Sequence, residues 1–315
     1  MEAQVRGKRT RRNARGRRRL GNERTTQGLR VDSYTSLYGV FGDPVRHSRS
    51  PIMLGRAFAE TGTNAAYVAF HVKAEGLGDA VRGIRALGLS GVNVTIPHKV
   101  EVMQYLDEID ETARVIGAVN TIVHRDGRLI GYNTDGIGYV RSLKEETGKE
   151  LRGARILMLG AGGASRGVGY ALAKESPARL IVANRTAEKA ETLARELGAV
   201  ASAEGIGWDG IDHIIGNVDL IINTTPIGMH PNTDETPIDP AAIRSGTVVS
   251  DLIYNPLKTK LLLEAEAAGH VVHGGLGMFV YQGAYAFEYW TGLPAPVAAM
   301  RDAVLETFAP AGTGA

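Results

Sequence analysis

"ARILMLGAGGASRGVGYALAKESPARLIVANRT", residues 154–186, is the most informative segment of the chain. Its apolar start predicts a buried strand over 156–159, followed by a glycine-rich turn, a helix and a second strand over 179–183. A dinucleotide-binding unit has this order, because the glycines let the backbone approach a pyrophosphate and the helix N-terminus offers free N–H groups. The turn departs from the usual pattern at Ser165, where Gly or Ala is common. The alternative interpretation is a tight structural turn.

The end of the second predicted strand indicates which dinucleotide binds. An NAD site usually has Asp or Glu there to bind the ribose 2′-hydroxyl. Here the strand ends in Asn184, Arg185 and Thr186, with Lys189 one turn further on. No carboxylate would repel a 2′-phosphate, two cations would attract it, and an arginine can also stack on the adenine. We therefore predict NADP, and the alternative is a solvent-exposed basic turn.

The stretch "GVNVTIPHK", residues 91–99, combines a strand pattern with a row of polar groups. The positions expected to be buried are Val92, Val94 and Ile96. Asn93 and Thr95 alternate with them, and Lys99 follows just after Pro97. This arrangement predicts the floor of a polar site that ends on an ammonium group, and the alternative is an exposed strand face. His98 is predicted to be structural or solvent-facing.

Strands and helices alternate along the rest of the chain, which predicts an α/β fold with a mostly parallel sheet. Further strands are expected in 36–44, 65–72, 218–225 and 246–254, and helices in 50–62, 76–89, 99–110, 111–117 and after the glycine-rich turn near 274. The pattern over residues 119–135 predicts a hairpin around Asp126 and Gly127.

The positive net charge comes from one short segment. Residues 1–30 hold 11 Lys/Arg and 2 Asp/Glu, so 25 of the 36 basic and 32 of the 34 acidic residues remain outside it. A segment so poor in apolar residues is expected to be disordered and to bind nucleic acid only weakly. The chain has no cysteine, which excludes disulfides, thiolate metal sites and cysteine nucleophiles and fits a reducing cytoplasm. No apolar run approaches 18 residues, so no membrane span is expected.

Over residues 35–312 the sequence resembles the shikimate dehydrogenase family. The motifs that carry the resemblance, in the family's order and spacing, are "HSRSP", "VNVTIPHK", "GAVNTI", "GYNTDGIG", "GAGGASRG", "NRT" and "GGLGMFVYQGA". The resemblance implies reversible reduction of 3-dehydroshikimate to shikimate by NADPH, a step of chorismate and aromatic amino-acid biosynthesis. It also implies a cytoplasmic enzyme that is a monomer or homodimer, needs no metal ion and does not bind a membrane.

The resemblance also assigns roles to residues of this chain. Lys99 and Asp135 match the family's catalytic pair. The groups that match substrate-binding positions are Ser48 and Ser50 for the carboxylate, Asn93, Thr95, Asn120 and Gln282 for the ring hydroxyls, and Tyr254. The groups that match cofactor-binding positions are Gly160, Ala161, Gly162, Gly163, Ala164, Asn184, Arg185, Thr186 and Lys189, and near the nicotinamide Leu252, Gly275 and Met278. The family often has Arg at the position of Lys189 and Met at that of Leu252.

Two α/β domains with a cleft between them are expected. The substrate-binding catalytic domain would comprise 33–135 and 274–312, the Rossmann NADP-binding domain 136–273, and residues 1–32 a disordered basic tail.

Three other functions compete with this interpretation. A quinate/shikimate or an aminoshikimate dehydrogenase would use the same scaffold and could use NAD. A glutamyl-tRNA reductase has a similar glycine loop but needs a nucleophilic cysteine, which this chain lacks. A non-catalytic or nucleic-acid-binding protein would have no use for Lys99 together with Asp135.

Overall fold

Two six-stranded sheets form the centre of the fold, and the first lies in the N-terminal half of the chain. The structure is a computed structural model that describes residues 31–309. The strands of the first sheet are β1 (Ser36–Gly42), β2 (Ala65–His71), β3 (Gly91–Val94), β4 (Glu108–Ile109), β5 (Thr121–Arg125) and β6 (Arg128–Tyr132). Their order is β2-β1-β3-β5-β6-β4, and β5 runs antiparallel to both of its neighbours. The helices α1 (Ser50–Glu60), α2 (Leu77–Ala86) and α3 (Glu111–Ile116) connect these strands.

The predicted hairpin is confirmed. Strands β5 and β6 pair from Thr121 to Tyr132, and the turn between them has positive φ angles of 52° at Asp126 and 76° at Gly127. Two successive left-handed residues match the right-handed twist of the paired strands, which is why Asp-Gly is so strong a hairpin signal.

Two local predictions in this half were wrong. The predicted strand over 91–97 ends at Val94, because after the last bond to β1, from Thr95 N to Phe41 O, the chain turns: His98 N bonds back to Thr95 O, and Ile96 is exposed. The predicted helix over 99–110 is a 3₁₀ helix, Glu101–Tyr105, followed by strand β4. Pairing of β4 with the edge of β6 competes with a helix there and prevails, as tertiary contacts often do over local preference.

The second sheet is entirely parallel. Its strands are β7 (Arg155–Leu159), β8 (Arg179–Asn184), β9 (Ala203–Gly207), β10 (Leu220–Asn223), β11 (Val248–Asp251) and β12 (Val272–His273), in the order β12-β11-β10-β7-β8-β9. Helices α5 (Gly163–Lys174), α6 (Ala187–Leu197) and α7 (Lys260–Ala267) accompany them. The strand order reverses direction at β7, and a crevice for ligands forms at such a point, outside the carboxyl ends of the strands. The predicted Rossmann arrangement is therefore present.

Each sheet has an apolar core on both faces. Along β7, Ile156 and Met158 join one cluster while Leu157 and Leu159 join the cluster on the opposite face. The alternation follows from the two-residue period of a strand, and all four side chains are fully buried. An uninterrupted apolar run of this kind is typical of a parallel strand covered by helices on both sides.

The three further helices are α4 (Asp135–Thr147), α8 (Gly275–Thr291) and α9 (Val297–Glu306); α4 and α8 connect the two sheets, and α9 packs on α1 and α8. Helix α4 packs so closely on α8 that a Cβ added to Gly138 would lie 2.8 Å from Gln282 N. Helix α8 then returns to the first sheet, where Trp290 Nε1 donates to Ile122 O at 3.0 Å. The end of α8 is thereby held against the first sheet.

A buried histidine also links α4 to the second sheet. His273 Nε2 lies 2.7 Å from Ser142 Oγ on α4, and its Nδ1 lies 2.9 Å from Ser250 Oγ on β11. Tyr139 Oη donates to the same Ser250 oxygen, which leaves the serine hydrogen for Nδ1 and places the histidine proton on Nε2. Burial lowers the pKa of His273 to about 4, so the ring is neutral near pH 7.

The prediction for the basic tail falls almost entirely on residues 1–30, which lie outside the described residues. Within residues 31–309, no helix combines the length and apolarity that crossing a membrane requires.

Candidate functional site

A cavity of about 190 Å³ opens at the carboxyl ends of β1 and β3. It brings together the proposed catalytic and substrate-binding residues, which are Lys99, Asp135, Ser48, Ser50, Asn93, Thr95, Asn120, Tyr254 and Gln282. Leu252, Gly275 and Met278, assigned to the nicotinamide by resemblance, line the same cavity. These twelve positions come from segments far apart in sequence, so their convergence is a property of the fold.

Lys99 and Asp135 are in direct contact at the floor of this cavity. Lys99 Nζ donates to Asp135 Oδ2 at 2.6 Å, and the two side chains are 22% and 9% exposed. Asp135 is the first residue of α4, where the helix dipole favours a negative charge. Its other oxygen, Oδ1, accepts a hydrogen bond from Asn120 Nδ2 at 2.9 Å. The carboxylate is therefore fixed from two sides and holds the ammonium group towards the cavity.

Asn120 has most of its hydrogen-bonding capacity engaged within the protein. Its Nδ2 donates to both Thr134 Oγ1 and Asp135 Oδ1, and its Oδ1 accepts from Thr134 N and Thr121 Oγ1. A side chain held in this way gives the Asp135 carboxylate a defined orientation. The resemblance assigns Asn120 to the substrate, and the structure adds this second contact that sequence patterns do not reveal.

A hydrogen bond from a buried tyrosine holds the Asn93 side chain in place. Tyr67 Oη donates to Asn93 Oδ1 at 2.7 Å, and Asn93 Nδ2 donates to Thr121 Oγ1 at 3.1 Å. Tyr67 was not singled out from the sequence, because a tyrosine within a strand is usually part of the core. Thr95, beyond the end of β3, also faces the cavity.

The opposite wall carries hydroxyl groups at the start of α1. Ser50 is the first residue of α1 and is buried, and its backbone N donates to Ser48 Oγ at 3.3 Å. A helix N-terminus attracts anions through its unpaired N–H groups and its dipole. The two hydroxyls and the helix end together suit a carboxylate of the substrate.

Two side chains close the cavity from the C-terminal half of the chain. Tyr254 stacks on Phe279 with ring centroids 4.6 Å apart, and burial raises the pKa of its hydroxyl. Gln282, on the same helix as Phe279, donates to Phe279 O at 2.7 Å and lines the cavity.

His98 does not line the cavity. It is buried, and its Nε2 lies 2.6 Å from Val72 O. The prediction that it is structural is confirmed, and the solvent-facing alternative is wrong.

A second cavity of about 220 Å³ lies over the glycine-rich turn. Of the proposed cofactor residues it is lined by Gly160, Ala161, Gly162, Asn184 and Arg185. The other four residues proposed for the two turns lie close by: Gly163 and Ala164 begin α5, Thr186 precedes α6, and Lys189 lies in the first turn of α6. Trp208 and residues 224–227 complete the wall. Residues 224 and 225 end the strand expected over 218–225, whereas nothing in the sequence pattern indicated Trp208.

The departure at Ser165 stabilises the turn rather than disrupting it. Its Oγ accepts a hydrogen bond from Gly162 N at 3.0 Å and lies 2.7 Å from Thr224 Oγ1. Gly160 has a φ of +110°, and a Cβ there would lie 2.6 Å from Thr224 Oγ1, so only glycine fits. The turn thus keeps a backbone surface open for a pyrophosphate at the N-terminus of α5, and Arg185 adds a cation where a 2′-phosphate would lie. The residues present fit NADP.

Comparison with known proteins gives a consistent result. Residues 40–122 match the shikimate dehydrogenase substrate binding domain, 142–232 match the shikimate/quinate 5-dehydrogenase family, and 275–305 match the shikimate 5'-dehydrogenase C-terminal domain. A protein of Bacillus cereus named shikimate dehydrogenase (NADP(+)) is 52% identical over 270 residues, which is 86% of this chain and 98% of that protein.

Solved structures agree with the sequence comparison. A shikimate dehydrogenase in complex with NADP⁺ aligns with a TM-score of 0.84 at 46% identity, over 90% of this chain and 99% of the other. A shikimate 5-dehydrogenase from Listeria monocytogenes in complex with shikimate and NAD aligns with a TM-score of 0.83 at 36% identity, over 87% and 98% of the two chains.

Proposed function

The chain belongs to the shikimate dehydrogenase family, and on that premise we propose that Lys99 and Asp135 form the proton-transferring pair of its active site. It is an NADP-dependent oxidoreductase acting on a CH–OH group, and it interconverts 3-dehydroshikimate and shikimate. The observation that carries the proposal is the 2.6 Å contact between these two side chains inside the cavity that the other proposed groups line.

Lys99 is proposed as the general acid for the reduction. When bound, NADPH supplies the hydride that the carbonyl carbon of the substrate accepts. The carbonyl oxygen gains negative charge at the same time, and the Lys99 ammonium stabilises that charge and donates a proton to it. In the oxidation of shikimate, the neutral amine of Lys99 takes the proton from the hydroxyl. Asp135 keeps the lysine nitrogen in place in both directions.

The polar walls of the cavity are proposed to select the substrate. Ser48 and Ser50 would hold the carboxylate, while Asn93, Thr95 and Gln282 would pair with the ring hydroxyls. Leaving a buried polar group without a partner is costly, so a site of this kind discriminates strongly against analogues that lack a hydroxyl. Asn120 and Tyr254 would complete the pocket.

Cofactor selection is proposed to depend on the turn after β8. Arg185 would bind the 2′-phosphate of NADP through two parallel hydrogen bonds, and Lys189 would add a point charge from α6. Leu252, Gly275 and Met278 would surround the nicotinamide, since they line the substrate cavity on the side of the second sheet.

The boundaries of the domains and the molecular setting are further proposals. Residues 33–135 with 274–312 would form the substrate domain, and 136–273 the NADP-binding domain. The return of α8 to the first sheet through Trp290 supports this division. The enzyme is proposed to act in the cytoplasm as a monomer or homodimer, with no macromolecular partner needed for catalysis.

One set of assays tests the proposed substrate and cofactor together. Initial rates are measured with shikimate and with quinate, each with NADP⁺ and with NAD⁺. We expect the highest kcat/KM for shikimate with NADP⁺. A higher value for quinate with NAD⁺ would contradict the proposal and favour the quinate alternative.

A further inference from the structure

Asp251 is a fully buried carboxylate that touches neither cavity. It ends β11, and its hydrogen-bond donors are neutral: Asn223 Nδ2 at 3.1 Å, Ile253 N at 3.0 Å and Thr259 Oγ1 at 2.8 Å. Removing a carboxylate from water is costly, and burial accordingly raises the pKa of Asp251 to about 6. The three donors that converge on the carboxylate offset part of this cost, and each of them belongs to a different segment of the chain.

The first donor connects Asp251 to the wall of the cofactor cavity. Asn223 Nδ2 also donates to Ile227 O at 3.1 Å, and its Oδ1 accepts from the N and the Oγ1 of Thr225 at 3.0 and 2.6 Å. Thr225 and Ile227 both line that cavity. A Cβ on Gly160 would lie only 3.1 Å from Thr225 Cγ2, so this segment also supports the glycine-rich turn.

The second donor connects Asp251 to the wall of the substrate cavity. Ile253 N lies between Leu252 and Tyr254, which both line that cavity. Gly275 N donates to Ile253 O at 3.2 Å, and a Cβ on Gly275 would lie 2.1 Å from Leu252 O. The position of the 252–254 turn therefore sets the position of the first residues of α8.

The third donor anchors the carboxylate from outside both cavities. Thr259 precedes α7 and is fully buried, and it lines neither cavity. Its hydrogen bond fixes the position of the Asp251 carboxylate, and the carboxylate in turn fixes Asn223 and Ile253.

We propose that Asp251 is a positioning residue for hydride transfer: its carboxylate sets the spacing between the cofactor segment 223–227 and the substrate-side turn 252–254. The proposal rests on the proposed function, because it needs the cofactor's phosphates beside segment 223–227 and its nicotinamide beside Leu252, at a defined distance from the reacting carbon of the substrate. Hydride transfer depends steeply on this distance, and a displacement of about 1 Å can lower a rate by about 100-fold.

Asp251→Asn tests the proposal with almost no change in shape. The new NH₂ group must face either Asn223 Nδ2 or Ile253 N, so one donor opposes another whichever way the amide turns. The Thr259 hydroxyl can rotate and accept a hydrogen bond from the new NH₂ group, whereas Asn223 Nδ2 and Ile253 N can only donate. The matched control is Thr247→Val, which removes a fully buried hydroxyl that donates to Val218 O at 2.8 Å just before β11, at the far end of the same strand.

The measurements are kcat and KM for shikimate oxidation, the dissociation constant of NADP⁺, the melting temperature, and the isotope effect with shikimate deuterated at the carbon that gives up the hydride. For Asp251→Asn we expect kcat to fall by about 10- to 100-fold and the isotope effect on kcat to rise. Thr247→Val should lower the melting temperature and leave kcat and the isotope effect unchanged.

Two results would overturn the proposal. One is a folded Asp251→Asn protein with wild-type kcat and isotope effect; the other is an equal loss of kcat in Thr247→Val. If Asp251→Asn does not fold, Asn223→Ala breaks the same connection from its other end and must show the same loss of kcat. A wild-type protein inactive on shikimate with NADP⁺ would instead contradict the proposed function, so the two failures are distinguishable.

Discussion

Replacing Arg185 by alanine should change the choice of cofactor. Arg185 lies on the exposed turn after β8 and lines the cavity over the glycine-rich turn. A hydrogen bond to a charged group contributes about 1.5–3 kcal/mol, and each 1.4 kcal/mol is about tenfold in affinity. We therefore expect the KM for NADP⁺ to rise by about 10- to 100-fold. NAD⁺ lacks the 2′-phosphate, so its KM should change by less than about threefold.

The assay is a set of initial rates with each cofactor at low and at high ionic strength. Because the site is exposed, salt should reduce the wild-type preference for NADP⁺, and it should reduce that of Arg185→Ala less, since only Lys189 remains there. Arg179→Ala is the matched control, since Arg179 lies at the other end of β8 and pairs with Glu204. An equal rise in KM for both cofactors, or a wild type that uses NAD⁺ as well as NADP⁺, would refute the reasoning.

Three further outcomes follow from the same structure. Ser48→Ala and Ser50→Ala should each weaken shikimate binding by about 1.5–3 kcal/mol in calorimetry while NADP⁺ binding stays constant; equal loss of both ligands would indicate misfolding. The folded pKa of His273, about 4, lies below the unfolded value of 6.5, so its stabilising contribution is complete above pH 6.5 and is lost as the pH falls to 4. In urea unfolding at several pH values, the free energy of unfolding should fall between pH 6.5 and pH 4 by about 3 kcal/mol less in His273→Gln than in wild type. Parallel pH curves for the two proteins would exclude the effect. A chain that starts at Val31 should keep the activity and melting temperature of the full chain, and loss of activity would show that the basic segment contributes to the site.

The nucleotide-binding unit could be predicted almost to the residue because its signals are local. The expected strands 156–159 and 179–183 correspond to β7 and β8, each within one residue at either end. The apolar runs, the glycines and the basic turn lie within one stretch of sequence. The helix predicted over 99–110 was wrong for the opposite reason. Strand β4 forms there because it pairs with the edge of β6, which is distant in sequence.

The sequence predicted which residues form the candidate site, but not which of them contact one another. Motif resemblance identified Lys99 and Asp135, yet no spacing rule shows that residues 36 apart meet at 2.6 Å. The sequence pattern placed Tyr67 and Asp251 only within the expected strands 65–72 and 246–254, although Tyr67 holds Asn93 and Asp251 is bonded to three separate segments. Such contacts depend on how separate elements pack, and a pattern along one chain segment does not contain that information.

The single-turnover rate of Lys99→Ala shows whether Lys99 is the general acid of the reduction. Enzyme saturated with NADPH is mixed with 3-dehydroshikimate, and loss of nicotinamide absorbance is followed beside wild type and Asp135→Asn. We predict a fall of about 10²–10⁴-fold for Lys99→Ala, the range for a lost general acid, with much less change in substrate affinity. Asp135→Asn should also be slower, because it removes the charge that holds the ammonium and keeps the shape. A Lys99→Ala enzyme that turns over at close to the wild-type rate would contradict the account.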